Sequence, residues 1–316
     1  MYKNFFGLRV APFNVNPDPR FLYMTQGVRE ALASLSYSIY NRKGIVLLTG
    51  EVGTGKTTVI NKLLEWLHRV HFSTAFISNP RLTITDFFDV MMADFGIACE
   101  SREKGQRLLR LNEWLLGRHR AGQSAVLIVD EAQGLSIELL EELRLLTNVE
   151  TFTQKLLQVV LCGQPELDTK LKDPQLRQLR QRIMVRCNMQ PLSVQEAHVY
   201  INERLRRAGA NGAAIFTNDA IEAIARYSCG IPRVVNLLCE QALIGAFADQ
   251  QRPVLASTIN AVAEEFELDA IPALPTTTPW TGEDRIPGER LRAVASVGRR
   301  TAGAENPLDL ANQRKV

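Results

Sequence analysis

The chain has 316 residues, 46% hydrophobic and 22% charged, which suits about two packed domains with a sizeable core. A net charge of +3 excludes the strongly basic composition of a protein that coats nucleic acid, and no stretch reaches the ~18 apolar residues that a membrane span requires. Five cysteines, Cys99, Cys162, Cys187, Cys229 and Cys239, include no C-x-x-C pair, so free thiols in a reducing compartment are expected rather than a disulfide framework or a zinc site. The first residues, MYKNFFGLRVAPF, carry no signal-peptide pattern, and the expected location is cytoplasmic.

In chain order, PFNVNPDPRFLY is broken by prolines and predicts an extended lead-in. Val28, Ala31, Leu32 and Leu35 then recur at helical spacing, and Gly44 closes that segment. IVLLT reads as a buried parallel strand, and Thr58 to Val70 as a helix with Ile60, Leu63, Leu64 and Leu67 on one stripe. Ser73 to Ser78 predicts a second strand, followed by helices in ITDFFDVMMADFG and KGQRLLRLNEWLLGRHR. Ser124 to Ala132 is an apolar strand that runs into two acids. IELLEELRLLTNVE is a helix, Leu156 to Gly163 a strand, and MVRCNMQ the last strand. Strands alternating with helices imply an α/β fold with a parallel sheet sandwiched by helices.

After Pro191 only helical patterns occur, in SVQEAHVYINERLRRAG, TNDAIEAIARYSCG and RVVNLLCEQALIGAFAD, with Ser, Thr or Pro at their starts and Gly at two of their ends. From about Ile271 the composition turns to Pro, Thr, Gly and charge, which predicts disorder. The expected division is an α/β core with its lead-in over 1–190, a small helical lid over 191–269 and a disordered tail over 270–316.

Gly50-x4-Gly55-Lys56-Thr57 lies between the first strand and its helix and is a full phosphate-loop (Walker A) match. Glycines at 50, 53 and 55 let the backbone turn its N–H groups inward, and the helix that begins there adds its dipole. The whole run Gly50, Glu51, Val52, Gly53, Thr54, Gly55, Lys56, Thr57 and Thr58 is therefore expected to cradle phosphates. Lys56 would neutralise the terminal phosphates, and Thr57 would offer its hydroxyl to Mg²⁺. Downstream, VLIV leads into Asp130 and Glu131. A parallel strand would bring Asp130 to the loop as a metal ligand, through water, and Glu131 to the attacking water as its base. No N-K-x-D string reads a guanine base, so ATP with Mg²⁺ is the expected cofactor. His68 and His71, three apart without a third ligand, are not expected to hold a metal, and Trp66 and Trp114 lie in helical stripes expected to be core.

The strand-end Asp-Glu pair, the polar residue after a later strand and the helical lid together resemble the AAA+ ATPases. That resemblance implies sensor 1 at Gln164, an arginine finger at Arg182 with Arg180 as its rival, and sensor 2 at Arg233 in GIPR. It also places Asn16, Pro17 and Tyr23 near an adenine. A closer resemblance is to the ExeA/GspA-type secretion ATPases, carried by FFGLRVAPFNVNPDPRFLY, TGEVGTGKTT, IVDEAQ, LLEELRLLTNVET, VVLCGQPEL, LRQLRQRI and GIPRVVNLLCEQAL over most of residues 1–268. Relatives of that closer type include the pilus-biogenesis ATPases of MshM type and ATPases of exopolysaccharide and exosortase systems, while the transposition regulators of TnsC type share the broader class. The full-length secretion proteins continue into a transmembrane segment and a peptidoglycan-binding domain; neither is read in residues 1–316, and an ATPase-only form is expected.

The resemblance implies an ATP hydrolase that drives assembly or switching of a cell-envelope export system, whether type II secretion, pilus or polysaccharide export. Its partners would be further copies of itself, in a ring or filament with a finger acting in trans, and an envelope-export or pilus-assembly protein that could hold it peripherally at the inner membrane. The alternative is a DNA-associated AAA+ regulator of transposition or initiation type. Arg285, Arg290, Arg292, Arg299, Arg300, Arg314 and Lys315 in the tail suit either an anionic leaflet or DNA.

Overall fold

The computed structural model describes residues 1–14, 21, 23–78, 81–101, 103–151, 154–211 and 214–269. The tail over 270–316, with its basic residues, and the adenine contacts expected of Asn16 and Pro17 lie outside the described residues. Two compact units are present. One runs from Asp18 to Gln190; the other joins the residues up to Pro17 with those from Pro191 onward.

In the first unit, α2 (Gln26–Tyr40) precedes β1 (Ile45–Gly50), α3 (Lys56–Arg69), β2 (Ser73–Ile77), α4 (Ile84–Asp94), α5 (Lys104–Arg120), β3 (Ala125–Val129) and α6 (Ile137–Leu146). Then come β4 (Leu157–Gly163), α7 (Pro165–Lys170), α8 (Arg177–Arg182) and β5 (Ile183–Met189). The five strands are all parallel, in the order β2-β3-β4-β1-β5.

Each inner strand is buried on both faces, and the two-residue period sorts its side chains between them. Ile45, Leu47, Leu127, Val129, Val159 and Leu161 point into one core with the apolar faces of α4, α5 and α6. Val46, Leu48, Val126, Ile128, Val160 and Cys162 point into the other with α2 and α3. Trp66 and Trp114 pack half-buried against these two cores. Gln158, a polar residue buried in β4, is satisfied from both ends of its amide: its Oε1 accepts from Gly44 N at 2.8 Å and its Nε2 donates to Lys155 O at 3.0 Å.

The second unit holds α9 (Val194–Arg207), α10 (Asn218–Ser228), α11 (Pro232–Ala248) and α12 (Ala256–Glu265), together with α1 (Tyr2–Phe6). α9 opens with a reciprocal capping box between Ser193 and Glu196, the arrangement that SVQE encodes. The lead-in departs from its expected place in the α/β core, since its N-terminal part belongs with the helices. Phe6 and Phe13 are buried there, Phe13 meets Phe216 edge-on, Arg9 N donates to Ala208 O at 2.7 Å, and Arg204 donates to Pro12 O at 2.6 Å. Apolar burial and these bonds outweigh sequence proximity to the core. α10 also ends differently from expectation: Cys229, with φ of 51°, takes the left-handed cap position one residue before Gly230. Among the described residues, no helix is long and apolar enough to cross a membrane.

Candidate nucleotide site

The loop between β1 and α3 is shaped by three glycines for two different reasons. Gly53 and Gly55 have φ of 87° and 99°, where a side chain is strained. Gly50 is constrained by space, because a Cβ there would lie 2.7 Å from Met189 O on β5. Thr54 closes the turn, its N–H and its hydroxyl both donating to Glu51 O at 3.3 and 2.8 Å. No side chain caps the N-terminus of α3, whose first turn therefore presents N–H groups without intrahelical acceptors. Such an end, next to a left-handed glycine pair, is built to receive an anion.

Lys56 is buried, and its Nζ donates to Gly50 O at 2.7 Å and Glu51 O at 2.9 Å. Burial lowers its pKa, and the charges of Glu131, Asp130 and Glu51 pull it back up. The ammonium is thus held on the loop by carbonyl oxygens that a phosphate can outcompete.

Asp130 follows the last residue of β3. Its Oδ2 accepts from Thr57 Oγ1 at 3.5 Å and its Oδ1 from Glu131 N at 2.9 Å. The strand order refines the expectation that Asp130 stands directly beside the loop. β4 runs between β1 and β3, with Leu48 paired to Cys162 and Leu161 to Val129. One residue further in the same register, Cys162 meets Asp130 across the strands. Burial, then the charge of Asp130 and a hydrogen bond to it, push the Cys162 thiol well above its usual pKa, so it stays a neutral donor.

Glu131 is exposed and left-handed, with φ of 52°, a conformation that costs a non-glycine residue energy and is concentrated at functional sites. Its Oε2 accepts from Gln164 Nε2 at 2.9 Å and also from Gln133 Nε2. Lys56, Thr57, Asp130, Glu131 and Gln164, named separately from sequence, therefore converge at the C-terminal ends of β1, β3 and β4. Such a switch point is where open parallel sheets bind ligands. Sequence reading missed Cys162 and Gln133. Gln133 carried a signal in IVDEAQ, two residues past Glu131; Cys162 did not, because strand neighbourhood is not local in sequence.

Arg182 lies elsewhere. Arg182 ends α8 at the opposite, N-terminal end of β5; its Nη1 donates to Arg144 O and Thr147 Oγ1, both at 3.3 Å, and to Asn148 Oδ1. Arg233 is in the first turn of α11, in the helical unit. Among the described residues no group of three or more His, Cys, Asp or Glu could hold a metal, and His68 instead meets Thr74 Oγ1 at 3.2 Å.

Residues 39–171 match a family model described as an AAA domain. General secretion pathway protein A of Aeromonas hydrophila is 46% identical over 267 residues, 84% of this chain and 48% of that protein. The chain belongs to the AAA+ family, in its secretion-pathway protein A branch. This AAA+ chain spans about half the length of that relative. Among solved structures, Cdc6p from Pyrobaculum aerophilum superposes with a TM-score of 0.60 at 17% identity, over 83% of this chain and 70% of that one. Aeropyrum pernix ORC2 gives 0.59 at 15%, over 83% and 72%, and Thermotoga maritima RuvB gives 0.52 at 17%, over 78% and 70%. At such identities these establish the AAA+ fold and nothing further. Membership of this P-loop family implies nucleotide binding and ATP hydrolysis.

Proposed function

We propose that this AAA+ chain binds ATP with Mg²⁺, hydrolyses it, and uses the cycle to drive assembly or switching of a cell-envelope export system. The observation that carries the chemistry is the meeting of Lys56, Thr57, Asp130 and Glu131 at one end of the sheet. The loop N–H groups and Lys56 would hold the phosphates. Thr57 and Asp130 fit Mg²⁺ because a hydroxyl and a buried carboxylate, both hard oxygen donors, face each other at 3.5 Å. When bound, the ion would offset charge on the phosphates. Glu131 would take a proton from the attacking water, and Gln164 would fix that carboxylate.

The test separates binding from chemistry. Lys56→Ala should abolish ATP binding. Glu131→Gln should bind normally but turn over roughly 10²–10⁴-fold more slowly, the range of a lost general base. Equal turnover by Glu131→Gln and the parent would overturn the assignment.

The trans-acting finger is better supplied by Arg180 than by Arg182. Both precede β5, whose start pairs with Ile45 and whose end pairs with Gly50. The six residues of β1 separate them from the loop of their own chain by roughly 20 Å along the strand. Arg182 is committed to the end of α6, whereas Arg180 is exposed and makes no hydrogen bond or ion pair among the described residues. Arg233 joins the cycle as an ATP sensor, so Arg233→Ala should keep nucleotide affinity and slow hydrolysis.

The export role is supported by the identity with general secretion pathway protein A; on this reading the chain would work in the cytoplasm, held at the inner membrane through a partner. Deleting the gene in its host should reduce secreted protein, pili or exported polysaccharide, and a Lys56→Ala copy should not restore them. Normal export in the deletion, with tight duplex-DNA binding by the chain and a steep salt slope, would favour the DNA-regulator reading instead.

A further inference from the structure

We infer that Gln133 is the positioning residue for Glu131, bracing the water-activating carboxylate from the ends of β3 and β4; this rests on the ATPase reading above. Glu131 stands exposed after its strand, on a side chain with several rotamers open to it. Gln133 lies two residues on, in the short 3₁₀ turn Ala132–Gly134. Its Nε2 donates to Glu131 Oε2, while its Oε1 accepts the main-chain N–H of Gln164 at 3.1 Å. One amide thus ties the carboxylate to the end of the neighbouring strand.

The brace is itself anchored. Lys170 on α7 donates to Gln133 O at 2.6 Å and to Leu135 O at 2.8 Å, which fixes the turn from below. Gly163 leaves the slot in which the amide lies: a Cβ there would come within 2.8 Å of Gln133 Oε1 and 2.9 Å of Leu167 Cδ2. Gln164 adds its own bond to Glu131 Oε2, so both amides hold the same oxygen. Oε1 of Glu131 accepts no hydrogen bond among the described residues. One oxygen is fixed and the other is left to meet water, the arrangement that a positioned base requires.

The test measures steady-state ATP hydrolysis and mant-ATP binding with the full chain, for the parent, Glu131→Gln, Gln133→Glu, Gln133→Leu, Gly163→Ala and Gln133→Leu/Gly163→Ala. Gln133→Glu keeps the size and the acceptor for Gln164 N–H, and removes the donor to Glu131. It should lower kcat by roughly 10–100-fold, the scale of a misplaced catalytic group, with KM and mant-ATP affinity within about twofold. Gln133→Leu should do the same. Gly163→Ala should reproduce the loss by evicting the amide, and the double variant should be no slower than its worse parent, because both changes break one contact. Parental kcat in Gln133→Glu beside a slow Glu131→Gln overturns the brace and leaves the ATPase reading intact, as do multiplicative losses in the double variant. Parental turnover by Glu131→Gln overturns the ATPase assignment and the brace with it.

Discussion

Glu203 shows how far a single exposed-face carboxylate can be moved by its neighbours. Its two oxygens accept from Arg206, at 2.7 and 2.8 Å, and from Arg207 at 2.7 Å, all on α9. The hydrogen bond from Arg206, then that from Arg207, bring its pKa down to about 2. A depressed folded pKa stabilises the fold above the unfolded value, roughly 4.3, and that contribution fades as pH falls from there through about 2. Solvent screens the cluster, since Arg206 is 70% exposed, so the gain is at most about 1 kcal/mol. Glu203→Gln should therefore unfold at slightly lower urea at pH 7 and pH 5, and the gap should narrow toward pH 3. A gap that widens with acid contradicts this assignment. Lys56 shows the opposite use of position: burial disfavours its charge, yet the fold keeps it beside three acids where an arriving phosphate would complete its pairing.

Elements differ in how much of them is written locally. Five helices, α2, α4, α6, α9 and α10, begin at Thr25, Thr83, Ser136, Ser193 and Thr217, each accepting a main-chain N–H in the first turn, and their apolar stripes give their faces. α1 has no such local reason. Five residues cannot repay helix nucleation alone, and α1 is held by Tyr2 donating to Glu240 on α11 at 2.7 Å, far away in sequence. α12 starts at Leu255 without a side-chain cap, and it too escapes a cap-based reading. Glycines separate along the same line. Gly230, with φ of 69°, has no space for a Cβ, which would lie 2.0 Å from Leu192 O. Gly230→Ala should cost roughly 2–5 kcal/mol, combining the left-handed penalty with overpacking. Gly117, inside α5, meets nothing within 4 Å, and Gly117→Ala should stabilise by roughly 0.5–1 kcal/mol. Thermal melts of the two variants should move in opposite directions.

At the scale of the whole molecule, Arg180 and the phosphate loop sit at opposite ends of parallel strands, so a finger at Arg180, as proposed, would have to serve another copy. Arg180→Ala should keep its melting temperature and ATP affinity while losing roughly 10³-fold or more in turnover, as arginine fingers do. Arg182→Ala should instead lower the melting temperature, because it releases Arg144 O, Thr147 and Asn148. Mixing Arg180→Ala with Lys56→Ala would pair an intact loop with an intact finger across some interfaces, and activity should return there. A mixture as inactive as its components would argue for a site completed within one chain.

The local pattern by itself determined the strands, most of the helices, the phosphate loop and the acids after β3, because periodicity, caps and glycine spacing act over a few residues. Reading Gln164 as sensor 1, and Arg180 and Arg182 as rivals for a finger, needed family resemblance as well. Tertiary structure alone decided the order in which strands meet. That order puts β4 between β1 and β3, sets Cys162 against Asp130 and brings the Gln164 N–H to Gln133. It also assigned the first residues to the helical unit and distinguished a committed Arg182 from an uncommitted Arg180. The physical reason is common to all of these: they depend on which distant surfaces bury one another and on where single hydrogen bonds close between separate elements. Neither quantity repeats with any period along the chain.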